Sequence, residues 1–271
     1  MQQVVDKPVS QSELPPAEYG EHAGRLSFWP ILLALTLGLV PFGVVTYAYG
    51  TRAGLILVAV GAASAIGSMI GWVVGIIREQ IPAEEQAKSE KWLRNGLKLF
   101  LVSEAAIFGA FFAHYYYMRG HFQTWPPEGA PHLDTTLPAI ATLMLMTSSA
   151  TINRAHRLLL RNSKNASRRW VILTALLGAI FLSIQGYEWG FLRAFDNFTA
   201  TQGVYGTLFY VMTGFHGLHV ATGLILLMLV YVRLRLGHFT VQRHFAFLAA
   251  TWYWHFVDIV WIFLFGSIYL I

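Results

Sequence analysis

Long apolar stretches separated by short charged segments dominate this sequence. The first covers residues 28–49 and the second 54–77, with Arg52 as the one charged residue between them. At 1.5 Å of rise per residue, a helix of either length crosses about 30 Å of hydrocarbon. Five more stretches follow at 97–118, 136–156, 169–192, 204–232 and 245–270. We therefore predict an all-α membrane protein with seven transmembrane helices.

The amino-acid composition excludes several other classes of protein. Of the 271 residues, 12% are charged, whereas an ordinary soluble domain has about 25%. The chain has no cysteine, which excludes disulfides, thiolate metal sites and cysteine-ligated iron–sulfur clusters. The net charge of +5 is not gathered on a dense basic and polar surface, so we expect no nucleic-acid partner.

The distribution of Lys and Arg predicts the orientation in the membrane. Of the 19 Lys and Arg residues, all but Arg52, Arg119 and Arg193 fall on the side of the N-terminal tail. Such residues favour the cytoplasmic or matrix side of a membrane, and an odd number of spans separates the two termini. We predict a multi-pass integral membrane protein with its N-terminus inside and its C-terminus outside.

Four parts are predicted along the chain. They are a polar N-terminal tail at 1–26, a two-helix transmembrane hairpin at 27–77, a cytoplasmic or matrix-side loop at 78–96 and a five-helix transmembrane bundle at 97–271. In the second span, a small residue at every fourth position leaves one face open to a neighbouring backbone. These helix-packing residues are Ala63, Gly67, Gly71 and Gly75.

Acidic residues inside the predicted spans are candidates for function. Glu104 lies six residues beyond Lys98, which is roughly 9 Å into the third span. An intramembrane carboxylate marks a functional candidate. We weigh a proton-bearing, lipid-contact or subunit-contact role against a local hydrogen bond with Ser103. Glu188, near the outer end of the fifth span, is expected to reach the membrane interface.

Two pairs of polar residues share helix faces. His216 and His219 are three residues apart, and so are His255 and Asp258, which places each pair on one face. A metal or haem site would need further ligands from other helices. We predict that these four side chains make interhelical polar contacts, and that the chain has no catalytic residue, no metal and no cofactor of its own.

Basic residues bracket the loop between the sixth and seventh spans. A basic cluster at this depth is suited to the headgroup of an anionic phospholipid. The headgroup candidates are Arg233, His238, Arg243 and His244.

Several motifs resemble cytochrome c oxidase subunit III. They are SE at 103–104, WPPEG at 125–129, GVYG at 203–206, TGFHGLH at 213–219, HFT at 238–240 and WYWHFVD at 252–258. These matches run in family order from about residue 97 to the end of the chain. Residues 1–96 match less closely, with counterparts only at Trp72, Arg78 and Glu79, as in a divergent branch of the family.

This resemblance implies a non-catalytic core subunit of a proton-pumping haem–copper oxidase, which reduces dioxygen to water. It implies helices grouped two and five around a cleft filled with phospholipids, and it assigns the haems and copper to partner subunits. Glu104 matches a buried, carbodiimide-reactive glutamate, and Arg233 and His238 match residues that meet lipid headgroups. The family's subunit stabilises the catalytic subunit, supports proton uptake and offers dioxygen a path through the lipid.

The expected partners follow from the same resemblance. They are the haem-bearing catalytic subunit I, the other oxidase subunits, membrane phospholipids and a larger respiratory supercomplex. We expect a bacterial plasma membrane rather than a mitochondrial inner membrane.

Two other functions stay open on the residues alone. A proton-coupled transporter would use Glu104, His255 and Asp258 as a proton relay, although we find none of the matching broken spans that mark the two halves of many carriers. A membrane haem protein would use His216 or His255 as an axial ligand.

Overall fold

A computed structural model describes residues 28–78, 83–131 and 133–270. The described residues form seven α-helices, and the last of them continues into a π-helical turn at Gly266–Leu270. The helices are α1 (Trp29–Ala48), α2 (Ala53–Arg78), α3 (Ala83–His121), α4 (Thr136–Leu160), α5 (Lys164–Phe195), α6 (Gly203–Arg235) and α7 (Phe245–Phe265). The chain divides into two compact units, Met1–Pro82 and Ala83–Ile271.

The predicted all-α membrane fold is confirmed. Six of the described helices are long and apolar enough to cross a membrane. The other helix is α4, whose 25 residues give it about 37 Å of length but whose composition is less apolar. The predicted tail at 1–26 lies outside the described residues.

The loop predicted over 78–96 needs correction, because α3 begins at Ala83. The sequence interpretation placed the start of the helix where the apolar stretch starts. A helix needs residues of good helical propensity rather than apolar ones, and this segment is rich in Glu, Lys, Gln and Ala. Arg94 also donates to Glu90 one turn earlier, at 2.6 Å, which supports the helix.

In the first unit, α1 and α2 pack as a hairpin through glycines. Gly50 has a φ of +86° in the connecting turn, which an L side chain rarely adopts. A Cβ on Gly54 would lie 2.5 Å from the carbonyl oxygen of Gly43, and one on Gly43 would lie 2.7 Å from the amide nitrogen of Val58. The two backbones are therefore in direct contact here.

The packing face of α2 differs from the predicted one. Ala63 and Gly67 are exposed, and a Cβ on Gly67 would meet nothing within 4 Å. Gly71 and Gly75 face the ring of Trp29, Gly71 in close contact and Gly75 at 3.8 Å. A step of four residues drifts by about 40° around a helix, so the predicted stripe winds around α2 and only its last two residues reach Trp29 of α1. The buried small residues follow a spacing of seven, four and three, which keeps them on one side; they are Gly54, Gly61, Ala65 and Ser68.

In the second unit, four helices form a closed ring. α4 packs on α5, α5 on α6, α6 on α7 and α7 back on α4, while α3 packs on α6 and α7 from outside. The ring interior holds large aromatic side chains, including Trp254 and Trp261 of α7. Trp254 fits between glycines of two helices, since a Cβ on Gly178 or Gly223 would lie within 2.8 Å of its ring.

Polar side chains of α4 serve the packing of this ring. The indole of Trp254 donates to Ser148 at 2.8 Å, and that of Trp261 donates to Thr142 at 2.9 Å. Thr151 shares a hydrogen bond with Thr174 of α5 at 2.8 Å. Such bonds join helices where no water is present, and they account for the lower hydropathy of α4.

Candidate functional site

A carboxyl–imidazole pair joins α3 to α6. Glu104 Oε2 lies 3.0 Å from His219 Nε2, and both side chains are mostly buried, with exposed fractions of 17% and 10%. The helix positions bring them together, because α3 packs on α6 at this level. The alternative of a local bond with Ser103 is not seen in the described structure, where that hydroxyl donates to the Phe100 carbonyl at 2.7 Å.

The hydrogen bonds of His219 fix where its protons lie. Its Nδ1 is 2.8 Å from the carbonyl oxygen of Phe215, and a carbonyl can only accept, so Nδ1 carries a proton. The contact with Glu104 then contains one further proton. That proton lies either on Nε2, next to a carboxylate, or on the carboxyl group, next to a neutral ring. The pair is neutral overall in both forms, which lowers the cost of holding it in a membrane.

Apolar and aromatic groups surround this pair. The ring of Phe108 lies 5.0 Å from that of His219 and is almost fully buried. Tyr253 of α7 donates its hydroxyl to the His219 carbonyl at 3.2 Å. Three helices thus hold the pair, and part of the pair is exposed on the outer surface of the four-helix ring.

His216 makes ring contacts rather than the predicted polar ones. It is fully buried, and neither ring nitrogen has a hydrogen-bond partner among the described residues. Its ring stacks on Trp261 at 5.0 Å and meets the edge of Phe181 at 5.8 Å. His219 lies three residues further along α6, which is about 60° short of a full turn. The imidazole of His216 therefore faces the interior of the four-helix ring, where its neighbours are aromatic.

A second polar network joins α4 to α7. His255 Nδ1 lies 2.7 Å from Ser149 Oγ, and the same hydroxyl donates a hydrogen bond to Asp258 Oδ2. A hydroxyl has one proton, so Ser149 accepts from the imidazole. On the other side of that ring, Nε2 lies 3.0 Å from Asn153 Oδ1. Asp258 is buried, and its Oδ1 has no partner within the described part of the chain.

The order of these groups decides what they can do. In a hydrolytic triad, histidine stands between serine and the acid and removes the serine proton. In this network Ser149 stands in the middle, and its proton already points to Asp258. The arrangement is therefore suited to joining helices and to carrying a proton between His255 and Asp258, not to nucleophilic attack.

The four predicted headgroup residues make different contacts in the structure. Arg233 stacks on the ring of Phe239, with 4.9 Å from its guanidinium carbon to the ring centre. The imidazole of His244 lies 5.2 Å from that of His156. His238 and Arg243 are exposed in the α6–α7 loop. A headgroup role for these four side chains stays a prediction.

Sequence reasoning missed Ser149 and Asn153, which complete the second network. The available signal was the hydroxyl-rich run TLMLMTSSATIN at 142–153, which is unusually polar for a transmembrane helix. The interpretation of Glu188 also needs correction, because its Oε2 accepts from Tyr269 at 2.8 Å and from Gln185 at 3.0 Å. Tyr269 belongs to the end of the chain, and only the fold brings it to α5.

Neither network collects enough ligands for a metal. Among the described residues, no group of three or more His, Asp or Glu side chains is placed to hold a metal ion. The predicted absence of a redox centre in this chain stays a prediction.

Comparisons with known proteins agree with one another. The family model described as cytochrome c oxidase subunit III matches residues 20–271. Cytochrome c oxidase subunit 3 of Marchantia polymorpha is 37% identical over 248 residues, which is 89% of this chain and 92% of that protein. The human protein of the same name is 35% identical, covering 92% of this chain and 95% of its own. That of Scyliorhinus canicula is 38% identical, covering 89% and 93%.

Proposed function

Because the chain belongs to the cytochrome c oxidase subunit III family, we propose that it is a non-catalytic subunit that stabilises the catalytic subunit of a proton-pumping oxidase. Membership of the family makes the other oxidase subunits its partners. The haems and copper would belong to those partners. The proposal further assigns this chain a contact surface, a buried proton-bearing pair and bound phospholipids.

The observation that carries this proposal is the polar surface of α4. Asn153 is exposed, and its amide oxygen faces the partly exposed ring of His255. Ser149, four residues from Asn153, lies about 16 Å from the inner end of α4, well inside the hydrocarbon. Polar and ionisable side chains that face hydrocarbon are costly, and in membrane proteins they almost always face protein or water instead. A protein surface that covers this face would remove the cost, and we assign that role to the catalytic subunit.

A bulky substitution on this surface tests the assignment. We expect Asn153→Trp to lower the ratio of this subunit to haem in the purified complex by about tenfold, because overpacking a close interface is destabilising. The matched control is Leu218→Trp on α6, where the native side chain is also exposed. Quantitative mass spectrometry and the visible spectrum give the ratio, and an immunoblot of membranes gives the amount of each variant inserted.

Two outcomes would contradict this placement of the surface. One is a normal ratio for Asn153→Trp at normal insertion. The other is an equal loss with Leu218→Trp, since the defect would then not belong to the α4–α7 face.

For the pair of Glu104 and His219, we propose support of proton uptake. The supporting observation is that one proton lies between the two groups on a partly exposed edge of the α3–α6 contact. Transfer of that proton would change neither the net charge of the pair nor the helix packing. We also propose that phospholipid around the helices lets dioxygen, an apolar gas, reach the catalytic subunit.

For the membrane, we propose a bacterial plasma membrane, with the N-terminus inside and the C-terminus outside. The orientation is supported by the bias of Lys and Arg, all but three of which fall on one side of the predicted spans.

A further inference from the structure

A cavity of about 310 Å³ lies where α5 begins and α6 ends. Two basic side chains, one amide, one apolar side chain and one tyrosine line it, namely Asn165, Arg168, Arg169, Ile172 and Tyr231. None of the predicted headgroup residues belongs to it.

Among the described residues, no carboxylate forms an ion pair with the basic side chains of this cavity. The sequence has no Asp or Glu over 135–187 or 197–257, which covers this end of both helices. Arg168 donates a hydrogen bond to the side-chain oxygen of Asn165, a neutral group. Arg169 is exposed and has no carboxylate partner among the described residues. A bound anion would therefore meet two guanidinium groups without competing for them.

The start of α5 adds to this preference for an anion. No side chain caps the helix, and its first turn has no acidic residue. Cations at a helix N-terminus oppose the helix dipole, whereas an anion there is favoured. Lys164, the first residue of α5, is such a cation, and a phosphate group at this end of the helix would counter it.

An apolar surface continues from the cavity toward the middle of the membrane. Ile172 at its rim is followed one and two turns on by Leu176 and Ile180, and all three are exposed. On α6, Met228 lies one turn before Tyr231 and is also exposed. The two rows lie side by side, because α5 contacts α6 near Gly178, where an added Cβ would lie 3.0 Å from Leu224.

We infer that this cavity binds an anionic phospholipid, with the phosphate between Arg168 and Arg169 and an acyl chain along Ile172 and Leu176. Tyr231 suits the boundary between headgroup and chain, because its ring is apolar and its hydroxyl is polar. A free phosphate would satisfy the arginines but leave the apolar rows unused. The inference deepens the proposed lipid-binding role and rests on it, at a site distinct from the α6–α7 loop.

Photo-crosslinking in the whole oxidase complex tests the site. Leu176 is replaced with p-benzoylphenylalanine, and the complex is purified in mild detergent, irradiated and analysed by mass spectrometry of this chain. We expect an adduct with an anionic phospholipid. In the background Arg168→Gln with Arg169→Gln, we expect roughly a thirtyfold loss of affinity and hence loss of the adduct, since each basic residue adds to the attraction of anionic lipid.

The matched control removes the same charge outside the cavity. Arg161→Gln with Arg235→Gln also changes two exposed arginines at this end of the bundle, and the adduct should persist. An equal adduct in the cavity variant, or an adduct with another subunit instead of lipid, would overturn the site. Haem in each purified complex reports association separately, so failure of the site leaves haem present, whereas failure of the proposed function leaves it absent.

Discussion

Glu104 and His219 show how two costly groups are accommodated inside a membrane. Placing either charged group alone in the membrane would cost free energy, and together they form a neutral hydrogen-bonded pair. The Phe215 carbonyl fixes the proton on the far side of the ring, so only the proton between the two groups is free to change place. A reagent that attacks protonated carboxyl groups in apolar surroundings is expected to select this glutamate.

We expect Glu104→Gln to abolish labelling of this chain by an apolar carbodiimide while the oxidase complex still assembles. The amide has the shape of the carboxyl group and keeps a hydrogen bond to His219, but it lacks the reactive acid. Labelling is followed by mass spectrometry and assembly by haem content. Glu90→Gln, which removes an exposed carboxylate paired with Arg94, should leave labelling unchanged. Full labelling of Glu104→Gln would show that another carboxyl group reacts.

At the scale of elements, a glycine is required for helix packing only where a neighbouring helix comes into close contact with it. The glycines of α2 look equivalent in the sequence, yet Gly54 touches the backbone of α1 and Gly67 touches nothing within 4 Å. In α4, the role of each hydroxyl group likewise depends on its neighbours in the fold. Its Ser and Thr residues lower its hydropathy, and the structure pairs them with indoles and hydroxyls of neighbouring helices.

We expect Gly54→Ala to destabilise the α1–α2 hairpin by about 1–3 kcal/mol, the usual cost of overpacking. The added methyl group would collide with the backbone of Tyr47 and Gly43. Gly67→Ala is the matched control on the same helix, and it should be neutral or slightly stabilising because alanine favours the helix. The thermal unfolding midpoint of the purified complex measures both. Equal midpoints for the two variants would contradict the close approach.

At the scale of the whole molecule, the described helices form two units with different kinds of packing. The hairpin depends on glycine contacts, whereas the second unit depends on indoles, hydroxyls and a closed ring of four helices. Much of the apolar surface stays exposed, as expected for a chain that meets lipid and other subunits. The function proposed for the chain is accordingly one of association.

We expect the chain to co-purify in mild detergent with a haem-bearing membrane subunit and with phospholipid. Purified away from that partner, it should show no absorption from haem, because the redox groups are assigned to other subunits. Visible spectra of the complex and of the separated chain check both statements. A Soret band from the separated chain would instead favour His216 or His255 as a ligand, and proton transport by that chain alone would favour a transporter.

The sequence by itself determined the fold class, the positions of most helices and the family. These depend on the lengths of apolar stretches and on short motifs, both of which are local in the chain. It also located Glu104, because a carboxylate inside an apolar stretch is visible without any partner. The start of α3 was misplaced, since a helix can extend beyond the apolar residues that mark a span.

Only the tertiary structure decided which groups are partners. Glu104 meets His219 across 115 positions of sequence, and Ser149 meets His255 across 106. The rotation of each helix about its axis set the rest, because it turned His216 toward aromatic rings and placed Gly54 rather than Gly67 against α1. That rotation depends on how all the neighbouring helices pack together. It therefore cannot be predicted from the periodic pattern of one helix.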